Sequence, residues 1–275
     1  MFKKTIPYRI LIGVSMVLIG GFVFLPLLWM INTALKPASE TFTLSFFTSF
    51  TLDNFKNVLS DERILRYLGN SLFVSLLSSL LATTVSAMAG YSFSKFRYRG
   101  RKSAMALVMM AQAFPHAILL LTIYMVMKTV GLLDSYLSLV LSYITFTLPV
   151  GSWTLKNYFD QIPTALLESA RIDGAGHGTT LFKIVLPLAL PGMISVAIYG
   201  FVWSWNDLLY SLTLVTSTAK RTLAPGLVMT YMGEFTNNWA NMMAASITVS
   251  VPVTLMFIFL QRFFIQGMTA GAVKG

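Results

Sequence analysis

The sequence predicts an all-α integral membrane protein with about six transmembrane helices. Of its 275 residues, 56% are hydrophobic and 11% charged, and the mean hydropathy is +0.71, whereas about a quarter of the residues of a soluble domain are charged. Six apolar runs are long enough to cross a hydrocarbon layer of roughly 30 Å. Because lipid satisfies no backbone polar group and the short alternating segments of a barrel are missing, each run must be helical.

The first predicted span covers residues 10–31 and follows Lys3, Lys4 and Arg9. It is longer than the roughly 7–15 residues of a signal-peptide core, and no convincing small-residue cleavage site follows it, so we expect an uncleaved helix. The other spans are expected at 67–91, 104–127, 136–153, 192–215 and 241–263. Together they predict one transmembrane domain over residues 1–275.

The distribution of lysine and arginine predicts that both termini lie in the cytosol. The run "KFRYRGRK" over residues 95–102 contributes most to this bias. The positive-inside bias suffices to explain this run without a specific lipid or nucleotide site. The net charge of +10 does not indicate nucleic-acid binding, because no soluble stretch is long enough to form a basic domain.

Two loops are too long to be simple turns. The outer loop, residues 32–66, carries an aromatic set that is expected either to lie along the membrane surface or to pack on a partner. That set is Phe42, Phe46, Phe47, Phe50 and Phe55. Six helices are about the least that can surround a substrate path, so we expect one copy of the chain to need a partner.

The inner loop, residues 154–191, contains a glycine-rich stretch at Gly174–Thr180. A P-loop would place its second glycine at Thr179, and a lysine does not follow until Lys183. The dinucleotide fingerprint fails at Thr179 as well, and no βαβ unit surrounds the stretch. The glycines are therefore not predicted to hold a phosphate.

Flanking residues instead predict a helical hairpin in this loop. Pro163 suits a first helical turn, "PTALLESARID" contains good helix formers, and Gly174 suits the left-handed residue that ends a helix. A second short helix is expected from Thr180 to Leu186, before Pro187 and Pro191 interrupt the chain. This hairpin is either a solvated connector with an internal Glu168–Arg171 pair or a docking surface for a cytosolic partner.

The stretch "ESARIDGAGHGTTLFKIVLPLALPG", residues 168–192, resembles the EAA loop of the permease subunits of binding-protein-dependent ABC importers, with the pattern EAAxxDGAxxxxxFxxIxLPLxxP. The matching residues are Glu168, Ala170, Asp173, Gly174, Ala175, Phe182, Leu186, Pro187 and Pro191, and Ser169 replaces the middle alanine. The segments "NSLFVSLLSSLLATTVSAMAGYSFSKFRYRGRK", "GLLDSY", "FVWSWNDLLYSL" and "GMTAGAVKG" are similar to the carbohydrate branch, that of the maltose permease protein G. The resemblance covers nearly the whole chain.

This resemblance implies a bacterial or archaeal cell-membrane complex in which the chain pairs with a second permease, two cytosolic ATPase subunits and an extracytoplasmic solute-binding protein that delivers a sugar. ATP and Mg²⁺ would bind the ATPases, and this chain would hold no cofactor. The residues implied in ATPase coupling are Glu168, Ser169, Ala170, Asp173 and Gly174, with Glu168 meeting a basic residue and Gly174 setting the turn. The tail "TAGAVKG" either reaches the ATPases or frays.

In the fifth span, Trp203, Asn206, Asp207 and Tyr210 follow i, i+3, i+4 and i+7 spacing, which predicts that they share one helix face. Charge at that depth faces protein or water. An aromatic face can cover the C–H face of a pyranose while an amide and a carboxylate bind hydroxyls. We therefore consider these residues a substrate pathway, with interhelical hydrogen bonding as the alternative.

Gln112 and His116 form a second polar pair around Pro115 in the third span, suited either to the same pathway or to a structural hydrogen bond beside a kink. Two histidines, no cysteine and no HExxH motif argue against a metal site, and no GxSxG elbow indicates an enzyme. The alternatives are an ion-coupled transporter that uses Asp207, which requires inverted repeats, and an ABC permease for a solute other than a sugar.

Overall fold

The computed structural model describes residues 6–46, 49–233 and 238–269, and helices dominate all three ranges. Within them, four helical segments are long and apolar enough to cross a membrane, and two further helix pairs pass the same test as bent spans. The four segments are Tyr8–Ala34, Glu62–Lys95, Tyr136–Asp160 and Trp239–Phe263. The α-helical fold class is confirmed, with up to six spans.

Most of the helices follow one another along the chain with short connections, and a longer segment, residues 35–52, separates the first two. The helices are α1 (Ile6–Ala34), α2 (Asp53–Ser60), α3 (Glu62–Lys95), α4 (Arg101–Met110), α5 (His116–Thr129), α6 (Tyr136–Asp160), α7 (Thr164–Ile172), α8 (His177–Thr180), α9 (Leu186–Leu188), α10 (Leu190–Trp205), α11 (Leu209–Leu214), α12 (Leu223–Tyr231) and α13 (Trp239–Thr269). The predicted spans 10–31, 67–91, 136–153 and 241–263 lie inside α1, α3, α6 and α13. Each of these helices extends past its apolar run.

The third predicted span, 104–127, is wrong as one continuous helix. The segments Arg101–Ala113 and His116–Thr129 meet at an angle of 105°. Phe114 has extended φ and ψ of −84° and 135°, because the ring of Pro115 disfavours a helical conformation in the residue before it. The kink expected at Pro115 is therefore a full break.

The fifth predicted span, 192–215, is also wrong as one helix, since α10 ends at Trp205 and α11 begins at Leu209. Asn206 donates from Nδ2 to the carbonyl of Val202 at 2.8 Å. Asp207 accepts from the backbone N–H of Ser211 at 2.8 Å. Such short polar side chains compete with the helical ladder for backbone groups, which explains a break in the middle of an apolar run.

The chain divides into two compact units, residues 1–65 with 227–251 and residues 66–226 with 252–275. In the first unit, the segment after α1 is fastened to the end of that helix. Asn54 donates from Nδ2 to the carbonyls of Ala34 and Lys36, both at 2.8 Å. Lys36 is fully buried and donates to the carbonyl of Thr43 at 2.8 Å.

The aromatic set predicted for the outer loop is largely exposed. Phe42 is 80% exposed and Phe50 69% exposed, Phe46 is also exposed, and Phe55 is half-buried. Phe47 lies outside the described residues. Exposed rings suit either alternative, the membrane surface or a partner.

The second unit is built around α6, which carries a buried cluster near each end. The cluster near its start packs α3, α5, α6 and α11 together, and the cluster near its end packs α3, α6, α7 and α10 together. The crossing of α3 and α6 is tight, because a Cβ at Gly151 would lie 2.4 Å from the Ser86 hydroxyl. Glycine at this position therefore permits the close approach of the two helices.

Candidate functional site

The glycine-rich loop folds as a helical hairpin whose first arm is α7. The arm ends in a Schellman motif: the N–H of Ala175 donates to the carbonyl of Ala170 at 2.9 Å, and the N–H of Gly174 donates to that of Arg171 at 3.0 Å. Gly174 has a φ of +80°, which L-residues with a Cβ rarely adopt. The predicted helix stop at Gly174 is present in the structure.

The second arm is longer than the predicted Thr180–Leu186 helix. It begins with α8 at His177, continues through a π-helical turn over Leu181–Val185 and ends with α9 at Leu188. The chain then bends by 76° between residues 177–188 and α10. The expected interruption at Pro187 is absent, since the arm continues to Leu188. The bend lies at Ala189, just before Pro191, which fits the first turn of α10.

Most of the residues assigned to coupling lie on the outer surface of this hairpin. Glu168, Ser169, Asp173 and Gly174 are exposed, whereas Ala170 is only 6% exposed and faces inward. Both Glu168 and Arg171 are described, yet no ion pair joins them. The hairpin therefore lacks the internal pair that the solvated-connector alternative predicted.

The hairpin is held firmly by its inner side. Leu167 from α7 and Val185 from the second arm are buried in one cluster with Leu155 and Phe159 of α6. Lys95, at the end of α3, donates from Nζ to the carbonyl of Ile162 at 2.8 Å. A displacement of the hairpin would therefore be transmitted to α3, α6 and α10 rather than absorbed by a loose loop.

A second group of predicted residues surrounds Phe146 of α6. The Phe146 ring stacks on His116 and on Trp203 with centroid distances of 4.8 Å and 4.7 Å. Gln112 donates from Nε2 to the carbonyl of Phe146 at 2.9 Å, and the Tyr210 hydroxyl donates to the carbonyl of His116 at 2.6 Å. The structure thus brings the third-span pair together with Trp203 and Tyr210.

Asp207 holds the break between α10 and α11. Its carboxylate accepts from the hydroxyl of Tyr143 at 2.8 Å and from the N–H groups of Tyr210 and Ser211 at 3.3 Å and 2.8 Å. Tyr143 is 1% exposed, while Asp207 is half-buried. The carboxylate therefore satisfies donors in the first turn of α11 and ties this turn to α6.

The predicted pathway residues do not share one face of one helix. A cleft of about 840 Å³ is lined by Trp203, Asn206 and Asp207 together with apolar residues of α10 and α13. Tyr210, Gln112 and His116 do not line this cleft and pack behind it around Phe146. The lining of the cleft is mainly apolar and includes the ring of Trp203, while the Asn206 amide and an edge of the Asp207 carboxylate are among its few polar groups. Such a lining suits a ligand with an apolar face and neighbouring hydroxyl groups.

Sequence inspection missed Tyr143 and Phe146, the residues on which this arrangement depends. They stand three residues apart in α6, and nothing in the sequence separates them from ordinary apolar packing residues. Across the described ranges, no group of three or more His, Cys, Asp or Glu side chains is placed to hold a metal ion. Residues 270–275 of the tail "TAGAVKG" lie outside the described residues.

Comparison with known proteins identifies a family and several relatives. Residues 63–270 match the family described as the binding-protein-dependent transport system inner membrane component. A trehalose transport system permease protein of Mycobacterium tuberculosis is 32% identical, covering 94% of this chain and 95% of the relative. A maltodextrin transport system permease protein of Bacillus subtilis is 34% identical, covering 100% of this chain and 98% of the relative.

Solved structures show the same fold at low sequence identity. A bacterial ABC transporter that imports the polysaccharide alginate gives a TM-score of 0.82 at 20% identity and covers 96% of this chain and 100% of the transporter chain. The MetNI methionine ABC transporter, in inward-facing form, gives a TM-score of 0.56 at 16% identity, and the match covers 79% of this chain and 99% of the transporter chain.

Proposed function

The chain belongs to the family of inner membrane components of binding-protein-dependent transport systems, and from this premise we propose that it conducts a sugar or oligosaccharide through the membrane as one subunit of an ATP-driven importer. The family is a transport component and not an enzyme. The sugar assignment is supported by relatives whose names specify trehalose, maltodextrin and trehalose/maltose transport.

We propose four kinds of partner: a second related permease, two cytosolic ATPase subunits, an extracytoplasmic solute-binding protein and the transported sugar. ATP and Mg²⁺ bind the ATPases, and this chain holds no cofactor. The second permease is supported by the number of candidate spans, at most six in the described residues, since six helices are about the least that can surround a substrate path. Residues 1–275 form one transmembrane domain in this proposal, with both termini in the cytosol, an orientation supported by the lysine and arginine bias.

The hairpin of α7–α9 is the coupling element. Glu168, Ser169, Asp173 and Gly174 form its contact surface, and Ala170 packs beneath them. The observation that carries the proposal is that the hairpin with this exposed surface packs on the buried cluster near the end of α6 and leads directly into α10. At 16 residues, α10 spans about 24 Å and links the hairpin to the Asp207 break, so closure of the ATPases shifts the cleft.

In the cleft, Trp203 covers an apolar face of the sugar, and Asn206 and the outer edge of Asp207 bind its hydroxyls. Tyr210, Gln112 and His116 support Trp203 from behind. The carboxylate of Asp207 already accepts three hydrogen bonds, which favours a fixed polar group over the proton relay of an ion-coupled transporter.

The test is sugar uptake by proteoliposomes that contain this chain, its second permease, the ATPases and the binding protein. We expect uptake to require ATP, and Trp203→Ala to lose most of it, while Trp153→Ala, an exposed tryptophan on α6, retains it. Uptake driven by an ion gradient without ATP would support the ion-coupled alternative and refute the proposal.

A further inference from the structure

A cleft of about 330 Å³ lies where the end of α3 meets the hairpin. The end of α3 and the segment after it contribute Tyr91, Lys95, Phe96 and Arg97, and the hairpin contributes Leu167, Arg171, His177 and Thr180. The ring of His177 contacts that of Phe96 at a centroid distance of 5.6 Å. The cleft is therefore a junction between two elements rather than a groove along one helix; we call it the basic cleft.

Positive charge converges in the basic cleft without a matching carboxylate. Lys95, Arg97 and Arg171 line it, and no Asp or Glu does. Within the described part of the chain, neither Arg97 nor Arg171 forms an ion pair. Asp160 bonds to Lys156 at 2.5 Å and to the hydroxyl of Ser94 at 2.7 Å, and it also interacts electrostatically with Lys95. The two arginines therefore carry the uncompensated charge of the cleft. Converging cations of this kind favour an anion between them.

Phosphate is the anion that best matches this lining, since the planar guanidinium of arginine donates two parallel hydrogen bonds to phosphate oxygens. An adjoining cleft of about 410 Å³ shares Arg97 and adds Arg101 and Lys102. Basic pockets beside the end of a membrane-crossing helix are typical sites for lipid headgroups.

The position of the cleft along the chain also favours a lipid. It begins at the end of α3, a membrane-crossing helix of 34 residues. Phe96 and Tyr98 follow, 39% and 44% exposed, and exposed aromatic rings at a helix end are typical of the headgroup level. Tyr91 and Leu167 give the cleft an apolar floor, which suits the first methylene groups of a lipid's acyl chains.

We propose that the basic cleft binds the phosphate group of an anionic phospholipid headgroup and so bridges α3 to the α7–α9 hairpin. The bias of basic residues alone explains a diffuse attraction to the membrane surface. It does not explain why Arg97 meets Arg171, 74 positions further along the chain, in one cleft. This lipid site goes beyond the proposed transport function. Lipid binding is measured without transport, so either proposal can fail while the other stands.

The experiment titrates the full chain in neutral detergent with phosphatidylglycerol, phosphatidylcholine or inorganic phosphate and counts bound molecules by native mass spectrometry. We expect saturable binding of phosphatidylglycerol and much weaker binding of phosphatidylcholine. Arg97→Gln should weaken phosphatidylglycerol binding about tenfold, the loss expected for one hydrogen bond between charged groups. The matched control Arg99→Gln removes the same charge from the same loop outside both clefts and should change binding less than twofold.

A second matched pair tests the hairpin side of the cleft. Arg171→Gln should weaken binding as Arg97→Gln does, whereas Lys183→Gln, an exposed cation of the second arm, should not. Equal losses in Arg97→Gln and Arg99→Gln would show diffuse surface attraction and overturn the proposal. Binding of inorganic phosphate without phosphatidylglycerol would overturn the lipid source. Unchanged lipid binding with weakened ATPase assembly in Arg97→Gln would assign the cleft to an acidic protein partner instead.

Discussion

Replacement of Asp207 by alanine should destabilise the chain by about 2–4 kcal/mol. The change leaves the Tyr143 hydroxyl, which is 1% exposed, without its acceptor, and an unsatisfied buried group costs about 1–3 kcal/mol. The N–H groups of Tyr210 and Ser211 lose their acceptor as well, which is comparable to the loss of a helix cap at about 1 kcal/mol. The free energy of unfolding in mixed micelles measures the sum.

A double-mutant cycle with Tyr143→Phe isolates the bond between the two side chains. Tyr143→Phe alone removes a hydrogen bond to a charged group and should cost about 1–3 kcal/mol. The double variant should lose no more than Asp207→Ala alone, because it has no unsatisfied hydroxyl at position 143. The coupling free energy should therefore be at least the cost of Tyr143→Phe, about 1–3 kcal/mol. Additive costs would refute the argument that Asp207 ties α11 to α6. Asp207→Asn keeps one acceptor oxygen for Tyr143, and it should retain more stability than Asp207→Ala.

Two further predictions concern the hairpin turn and the loop before α6. Gly174→Ala should lower the free energy of unfolding by about 1–2 kcal/mol, because residue 174 has a φ of +80°, and it should speed hydrogen exchange in residues 164–188. The control Gly178→Ala, in a helical position with open space around it, should be neutral or stabilising. Equal effects of the two changes would contradict the argument that Gly174 sets the turn. Hydrogen bonding from the backbone N–H of Ser217 lowers the pKa of Asp134. The ionised Asp134 therefore stabilises the fold above its unfolded pKa of about 3.9, and this contribution is lost as the pH falls through the lower folded pKa. The free energy of unfolding of Asp134→Asn should therefore fall less steeply than that of the unchanged chain below about pH 4, and parallel curves would exclude Asp134 as the cause.

The hairpin could be predicted from the sequence because its signals are local. A proline before α7 and a glycine at Gly174 determine where the helix begins and ends, whatever surrounds it. The four long helices were equally accessible, since a continuous apolar run of about 20 residues leaves few alternatives in a membrane.

The two broken spans were not accessible in the same way. Apolar residues continue on both sides of Pro115 and of Asn206–Asp207, so average hydropathy predicts continuous helices. The break at Asp207 depends on a partner 64 positions earlier, the Tyr143 hydroxyl, and no local pattern reveals that contact. For the same reason, spacing placed Tyr210 beside Trp203 on a helix face, whereas the break places it behind the cleft.

The most direct test of coupling through the hairpin is ATP hydrolysis by the assembled complex with and without its sugar-loaded binding protein. Glu168→Arg reverses a charge on the exposed face of α7 without removing a packing contact. The control Glu62→Arg makes the same charge reversal at the first residue of α3, the end of that helix away from the hairpin. We predict that Glu168→Arg abolishes the stimulation of hydrolysis and weakens ATPase association, while Glu62→Arg preserves both. Full stimulation in Glu168→Arg would contradict the role of the hairpin in coupling.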